Sequence, residues 1–176
     1  TTFSPWVLTS ALRVTASAIP ATICSGNSTQ LNTSISGGSG TSTYTWASVP
    51  AGFSSSLANP VVSPAGNTTY YVTVSNCATN VTGSVYVAVN AIPTPTITGP
   101  LNYCSGFSTT LDAGAGYTTY NWSTGSAIQT TTATTLNNPI IVTVTDASGC
   151  TGTDTVNVTQ NDLPNVSAGV DTSVCT

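Results

Sequence analysis

Five cysteines, Cys24, Cys77, Cys104, Cys150 and Cys175, are the residues best suited to covalent chemistry. A thiolate can hold a metal, attack a substrate or pair with a second thiol. A metal site needs ligands gathered at short spacing, often with His; here no His exists and the cysteines stand far apart. A nucleophilic thiol or carboxylate needs an adjacent acid or base. Lys, Glu and His are all absent, and the five acids, Asp112, Asp146, Asp154, Asp162 and Asp171, are scattered. Asp146 and Asp154 are close enough in sequence to be weighed as Ca²⁺ ligands or as a carboxylate pair, but neither lies in a dense acidic loop or beside other catalytic groups. The expectation is therefore no catalytic residue, no metal and no cofactor, with the cysteines in structural disulfides, which form in oxidising compartments.

Charge narrows the partners. Only 3% of residues are charged and the net charge is −4, with Arg13 the single base. An ordinary soluble domain is about 25% charged. Nucleic-acid affinity is mostly Lys and Arg on phosphate, and basic membrane patches need the same residues, so neither partner is expected. No apolar run approaches the roughly 18 residues of a membrane-spanning helix. Polarity comes instead from 36 Thr, 23 Ser and 14 Asn. A disordered Ser/Thr-rich stalk is the alternative, but regularly spaced Val, Ile, Tyr and Trp argue against it.

The elements that carry these residues repeat. Ala18-Ile19-Pro20 precedes Cys24-Ser25-Gly26, and Ala91-Ile92-Pro93 precedes Cys104-Ser105-Gly106. Leu163-Pro164 precedes Cys175, and the three prolines lie 73 and 71 residues apart. Inside each repeat the order is constant: Leu31 or Leu111, then Tyr44-Thr45-Trp46 or Tyr120-Asn121-Trp122, then Tyr71-Val72-Thr73-Val74 or Ile141-Val142-Thr143-Val144, then Cys77 or Cys150. Val72 with Val74, and Ile140 with Val142 and Val144, alternate with polar residues at the strand period of two. No stretch has helical periodicity. Short alternating strands separated by Gly, Asn and Pro predict an all-β fold, with tandem immunoglobulin-like β-sandwich modules arranged end to end. Two complete modules are expected at residues 18–91 and 92–162. Residues 1–17 are expected to be the tail of an upstream β domain, and residues 163–176 the start of a third module. Pairing within each module, Cys24 with Cys77 and Cys104 with Cys150, is the arrangement that respects the repeat. Cys175 is left without a partner in this segment. Trp46 and Trp122 are expected in the cores.

The order Cys-x-Gly-x-Ser-x-x-Leu, Tyr-x-Trp, Tyr-x-Val-x-Val and Cys, over residues 18–176, resembles the Ig-like and PKD-like repeats of large secreted surface proteins and adhesins of Bacteroidetes, including substrates of type IX secretion. That resemblance implies an extracellular, cell-surface location and a structural or adhesive role, with other copies or modules and surface glycans as partners. It implies no catalytic residues. Phe3-Ser4-Pro5-Trp6 is similar to the close of a β domain found upstream in such proteins. Asp154-Thr155-Val156 looks like the O-glycosylation signal of Bacteroidetes secreted proteins, which makes Thr155 the expected glycan site. Two alternatives accompany this reading. One is a filament subunit that donates residues 1–17 as a strand, anchored by Leu8, Leu12 and Val14. The other is a carbohydrate-binding module of a secreted hydrolase, with Tyr70, Tyr71, Tyr86, Tyr117 and Tyr120 as stacking candidates.

Overall fold

The computed structural model describes residues 10–76, 79–166 and 169. Leu8, Cys77, Cys175 and the segment Phe3–Trp6 lie outside the described residues. The described residues form β-strands and one short 3-10 turn, Thr135–Asn137, with no α-helix. The chain divides into two compact units between Ile92 and Pro93.

In the first unit β1 (Arg13–Ile19), β3 (Thr29–Ser36) and β6 (Val61–Val62) form one sheet. The other contains β2 (Thr22–Cys24), β4 (Thr43–Val49), β5 (Ser54–Ser55), β7 (Thr68–Ser75) and β8 (Asn80–Asn90) in the order β2-β8-β7-β4-β5. Two facing antiparallel sheets, with the early strand β2 crossing over to run parallel to the last strand, are the immunoglobulin-like arrangement. Alternation decides which residues meet. Along β7, Thr68, Tyr70, Val72 and Val74 point inward, and Leu31, Trp46 and Val87 close over them. Trp46, Leu31, Val72, Val74 and Val87 are fully buried. Each contributes roughly 1.5–3 kcal/mol of hydrophobic stabilisation or more.

The second unit repeats the plan. β9 (Asn102–Cys104) pairs in parallel with β15 (Thr159–Asn161). β10 (Thr109–Asp112) pairs with β12 (Thr130–Ala133), and β11 (Thr119–Trp122), β13 (Ile140–Thr145) and β14 (Thr151–Val156) form the third sheet. Trp122 faces Val142 in the register in which Trp46 faces Val72. Leu111, Ile140, Val142 and Val144 are fully buried around it.

The repeated Cys-Ser-Gly is a turn. The N–H of Asn27 donates to Cys24 O at 3.0 Å and that of Phe107 to Cys104 O at 3.1 Å. Gly26 and Gly106 hold φ of 86° and 84°, which the third position of a type II turn demands and other residues resist.

One expectation about boundaries is corrected. Residues 13–17 are not the tail of an upstream domain, nor a strand donated elsewhere. Arg13 to Ile19 pair residue by residue with Ser36 to Gln30, and Leu12 is buried in the first core. A strand paired along its length with β3 of its own module is not free to be donated to another.

Candidate functional site

The outer face of the five-stranded sheet carries two exposed tyrosines. On β7 the residues alternating with the core set are Thr69, Tyr71 and Thr73, and on β8 they are Thr82, Ser84 and Tyr86. Tyr86 faces Thr69, which places it diagonally from Tyr71. Such diagonal neighbours lie about 7–8 Å apart, within reach of one sugar ring or peptide group. Tyr71 is 41% exposed and Tyr86 54%. Beside them on β4 stand Thr45, Ala47 and Val49. The face is uncharged and rich in hydroxyls, which suits stacking and neutral hydrogen bonding. In the second unit Ile141 facing Thr155 occupies the register of Tyr71 facing Ser84, so the aromatic pair is absent there.

A second feature is a cleft of about 410 Å³ in the first unit, lined by Ser48, Pro50, Phe53, Pro64, Asn67 and Tyr70 among others. Tyr70 packs edge-on to Phe53, with centroids 5.4 Å apart at 84°. Burial raises the Tyr70 hydroxyl above its ordinary pKa, so it stays protonated at physiological pH. Tyr70 is a core residue at 2% exposure, not a stacking platform. Tyr117 and Tyr120 likewise pack edge-on to each other, at 5.9 Å and 76°, against the second core.

The tryptophans serve the cores. Trp46 Nε1 donates to Leu57 O at 2.9 Å and Trp122 Nε1 to Ile128 O at 2.9 Å. Each buried indole N–H therefore has an acceptor, which burial of a polar atom requires.

The carboxylates are occupied by the backbone. Asp146 Oδ1 accepts the N–H groups of Ser148 and Cys150 at 2.8 and 2.9 Å, closing the turn between β13 and β14. Asp154 accepts from Ile97 N at 2.7 Å and Thr155 N at 2.8 Å. Asp112 accepts from Gly114 N, and both its carboxylate oxygens accept from Gln129 Nε2. Asp146 lies in the hairpin turn and Asp154 mid-strand opposite Val142, so they form no pair. Among the described residues no group of three potential ligands could hold a metal ion. No described helix is long and apolar enough to cross a membrane. Thr155 is exposed on β14, which pairs only with β13.

One of the two expected pairings does not form, and the other involves Cys77, outside the described residues. Cys24 and Cys150 are disulfide-bonded, whereas Cys104 is an exposed free thiol. The expected Cys104–Cys150 bond is therefore not formed. The reason is strand direction. Cys104 ends β9 opposite Asn161, while Cys150 precedes β14, a strand's length or more back along the path to Asn161. Nothing in the spacing of the two cysteines reveals which end of the sandwich each occupies.

No protein-family model matches the chain, and no curated protein matches it. Solved structures do. The three N-terminal domains of the bacteriophage RB49 Highly Immunogenic Outer Capsid protein (Hoc) align over 85% of this chain at 19% identity, with a TM-score of 0.47. The chain spans 59% of that structure. Murine CEACAM1b aligns over 85% of this chain and 100% of its own at 8% identity and a TM-score of 0.40. The N-terminal four Ig domains of Dscam1 isoform 6.9 align over 80% of this chain and 43% of their own, at 11% identity and a TM-score of 0.36. The Ig-like description of this chain rests on the strand order and pairing given above.

Proposed function

We propose that this segment is a structural repeat of an extracellular surface protein, a spacer that holds other parts of the molecule at a distance. The observation that carries the reading is the path of the chain through each module. In the first, Ser10 O accepts from Gly38 N beside the β7–β8 connection at Asn76, and the chain leaves at Asn90, the far end of β8. In the second, Pro93 packs on Gly152 near the β13–β14 turn, and β15 ends at Asn161 beside Cys104. Entry and exit thus stand at opposite poles of each sandwich. The uncharged Thr/Ser/Asn surface makes the protein insensitive to salt and poor in sites for proteases that need Lys or Arg. Disulfide bonds at Cys24 and Cys150 fit an oxidising, extracellular setting. The Bacteroidetes surface-protein resemblance belongs to the same reading. A distance measurement between labels at Ser10 and Asn90 tests it, since a separation of roughly 30 Å, the length of β8, supports threading from pole to pole and a much shorter one contradicts it. Thr155, exposed on an edge strand after Asp154, is the residue proposed to carry an O-glycan.

One observation favours a second, adhesive reading. Tyr71 and Tyr86 share an exposed, uncharged face, and paired aromatics suit stacking on sugar rings. Glycan-array binding that is lost in Tyr71→Ala with Tyr86→Ala supports it. Binding that survives both substitutions, or none by the parent chain, removes it.

A further inference from the structure

Tyr70 places a hydroxyl where the fold asks for none. It stands two residues before Val72, as Ile140 stands two before Val142, and each valine faces its tryptophan. Ile140 is fully buried, so the position needs only an apolar side chain. Tyr70 is 2% exposed, yet its hydroxyl has no hydrogen-bond partner among the described residues. Every fully enclosed side-chain nitrogen or oxygen among the described residues does have one, so the hydroxyl is not enclosed. The opening that Tyr70 lines is the cleft of about 410 Å³ in the first unit. The hydroxyl therefore faces that cleft as a free donor.

Two connections wall the cleft, and side chains hold both in place. In the link from β4 to β5, Ser48 Oγ donates to Pro50 O at 2.8 Å and accepts from Phe53 N at 3.1 Å. In the link from β6 to β7, Thr68 Oγ1 donates to Gly66 O at 2.8 Å. Asn67 Oδ1 accepts from Val89 N at 2.8 Å, which anchors the amide and leaves Nδ2 as a second donor at the cleft. Phe53, Val62 and Pro64 supply apolar lining. The second unit has a tight turn in place of the loop through Pro50 and Phe53: Trp122 N donates to Ser126 O at 3.0 Å and Gly125 N to Trp122 O at 2.9 Å. No lining residue of the cleft is charged, and Arg13 is the only charged side chain in residues 1–92.

We propose that this cleft binds a small uncharged molecule, an apolar ring bearing a carbonyl oxygen, with the Tyr70 hydroxyl and Asn67 Nδ2 as its hydrogen-bond donors. Ligand sites run from roughly 300 to 1,000 Å³ and are mostly apolar with a few placed polar groups. This cleft fits that description at the small end. A charged ligand finds no counter-charge here and loses its hydration on entry. A sugar carries hydroxyls around its whole edge, and the apolar lining leaves most of them unpaired. The site is separate from the face that holds Tyr71 and Tyr86, because Tyr70 and Tyr71 are successive residues of β7 and point to opposite sides of the sheet.

Titration of the isotope-labelled full chain with cyclohexanone, followed by amide chemical shifts, tests this. Saturable shifts are expected at Phe53, Asn67 and Tyr70. Cyclohexylammonium, a charged form of the same ring, should leave those amides in place. Tyr70→Phe should weaken cyclohexanone binding by roughly two- to tenfold, the worth of one hydrogen bond. Its fold is expected to hold, since the hydroxyl has no partner in the protein to lose. Asn67→Asp keeps an acceptor for Val89 N but removes the Nδ2 donor, and should weaken binding as well. No saturable shift at these amides, equal binding of cyclohexylammonium, or unchanged affinity in either variant overturns the proposal. Cellobiose shifting the same amides while cyclohexanone does not also overturns it, and makes the cleft a glycan site instead.

Discussion

Asp154 Oδ2 accepts the main-chain N–H of Ile97 at 2.7 Å, tying the first segment of the second module to strand β14, which faces β13 on its other side. Thr98 N and Asp112 O, at 2.8 Å, secure the adjacent residue to β10. The bond to Asp154 involves an ionised acceptor and is the stronger kind. Asp154→Ala leaves the partly buried Ile97 donor unsatisfied. The expected loss is about 1.5–3 kcal/mol of second-module stability, read by chemical denaturation. An unchanged transition would mean that water replaces the carboxylate without cost.

The two indoles report on the two cores separately. Trp46→Phe keeps most of the apolar volume but orphans Leu57 O, and Trp122→Phe does the same to Ile128 O. Each should destabilise its own module by on the order of 2 kcal/mol and leave the other's transition in place. Calorimetry or denaturant titration resolves this. A shift of both transitions by one substitution would mean that the cores unfold as one unit.

Gly152 is a steric requirement, whereas Gly66 is not. A Cβ at Gly152 meets the Pro93 carbonyl, which is backbone and cannot rotate away, while a Cβ at Gly66 meets nothing within 4 Å. Gly152→Ala should cost about 1–3 kcal/mol or more through displaced backbone. Gly66→Ala should be neutral or stabilising by roughly 0.4–1 kcal/mol, because it restricts the unfolded chain. Thermal melts of the two variants side by side decide it, and equal effects would contradict the packing at Pro93.

Much of the fold was legible because the alternation of Val72 with Val74, and of Val142 with Val144, repeats with each module around Trp46 or Trp122. What failed has identifiable causes. Residues 13–17 read as an upstream tail because, although Val14, Ala16 and Ala18 alternate with polar residues, alanines are a weak strand signal. The repeat gave no help there: the corresponding part of the second module makes a single bridge, Thr98 to Asp112, and not a strand. The Cys104–Cys150 pairing failed for a topological reason. Spacing along the chain cannot tell that β9 runs parallel to β15, a contact between residues more than 50 positions apart, and that contact decides the pole of Cys104. The exposed pair Tyr71 and Tyr86 was among the candidates, but only the register of β7 with β8 separates it from the buried Tyr70.

The central claim is that the chain crosses each sandwich from pole to pole. A pulsed dipolar measurement between spin labels carried by non-canonical residues at Ser10 and Asn90 of the 176-residue chain tests this most directly in the first module. The account predicts a separation of roughly 30 Å, the length of β8. A separation of half that length or less would put entry and exit at the same pole and contradict it.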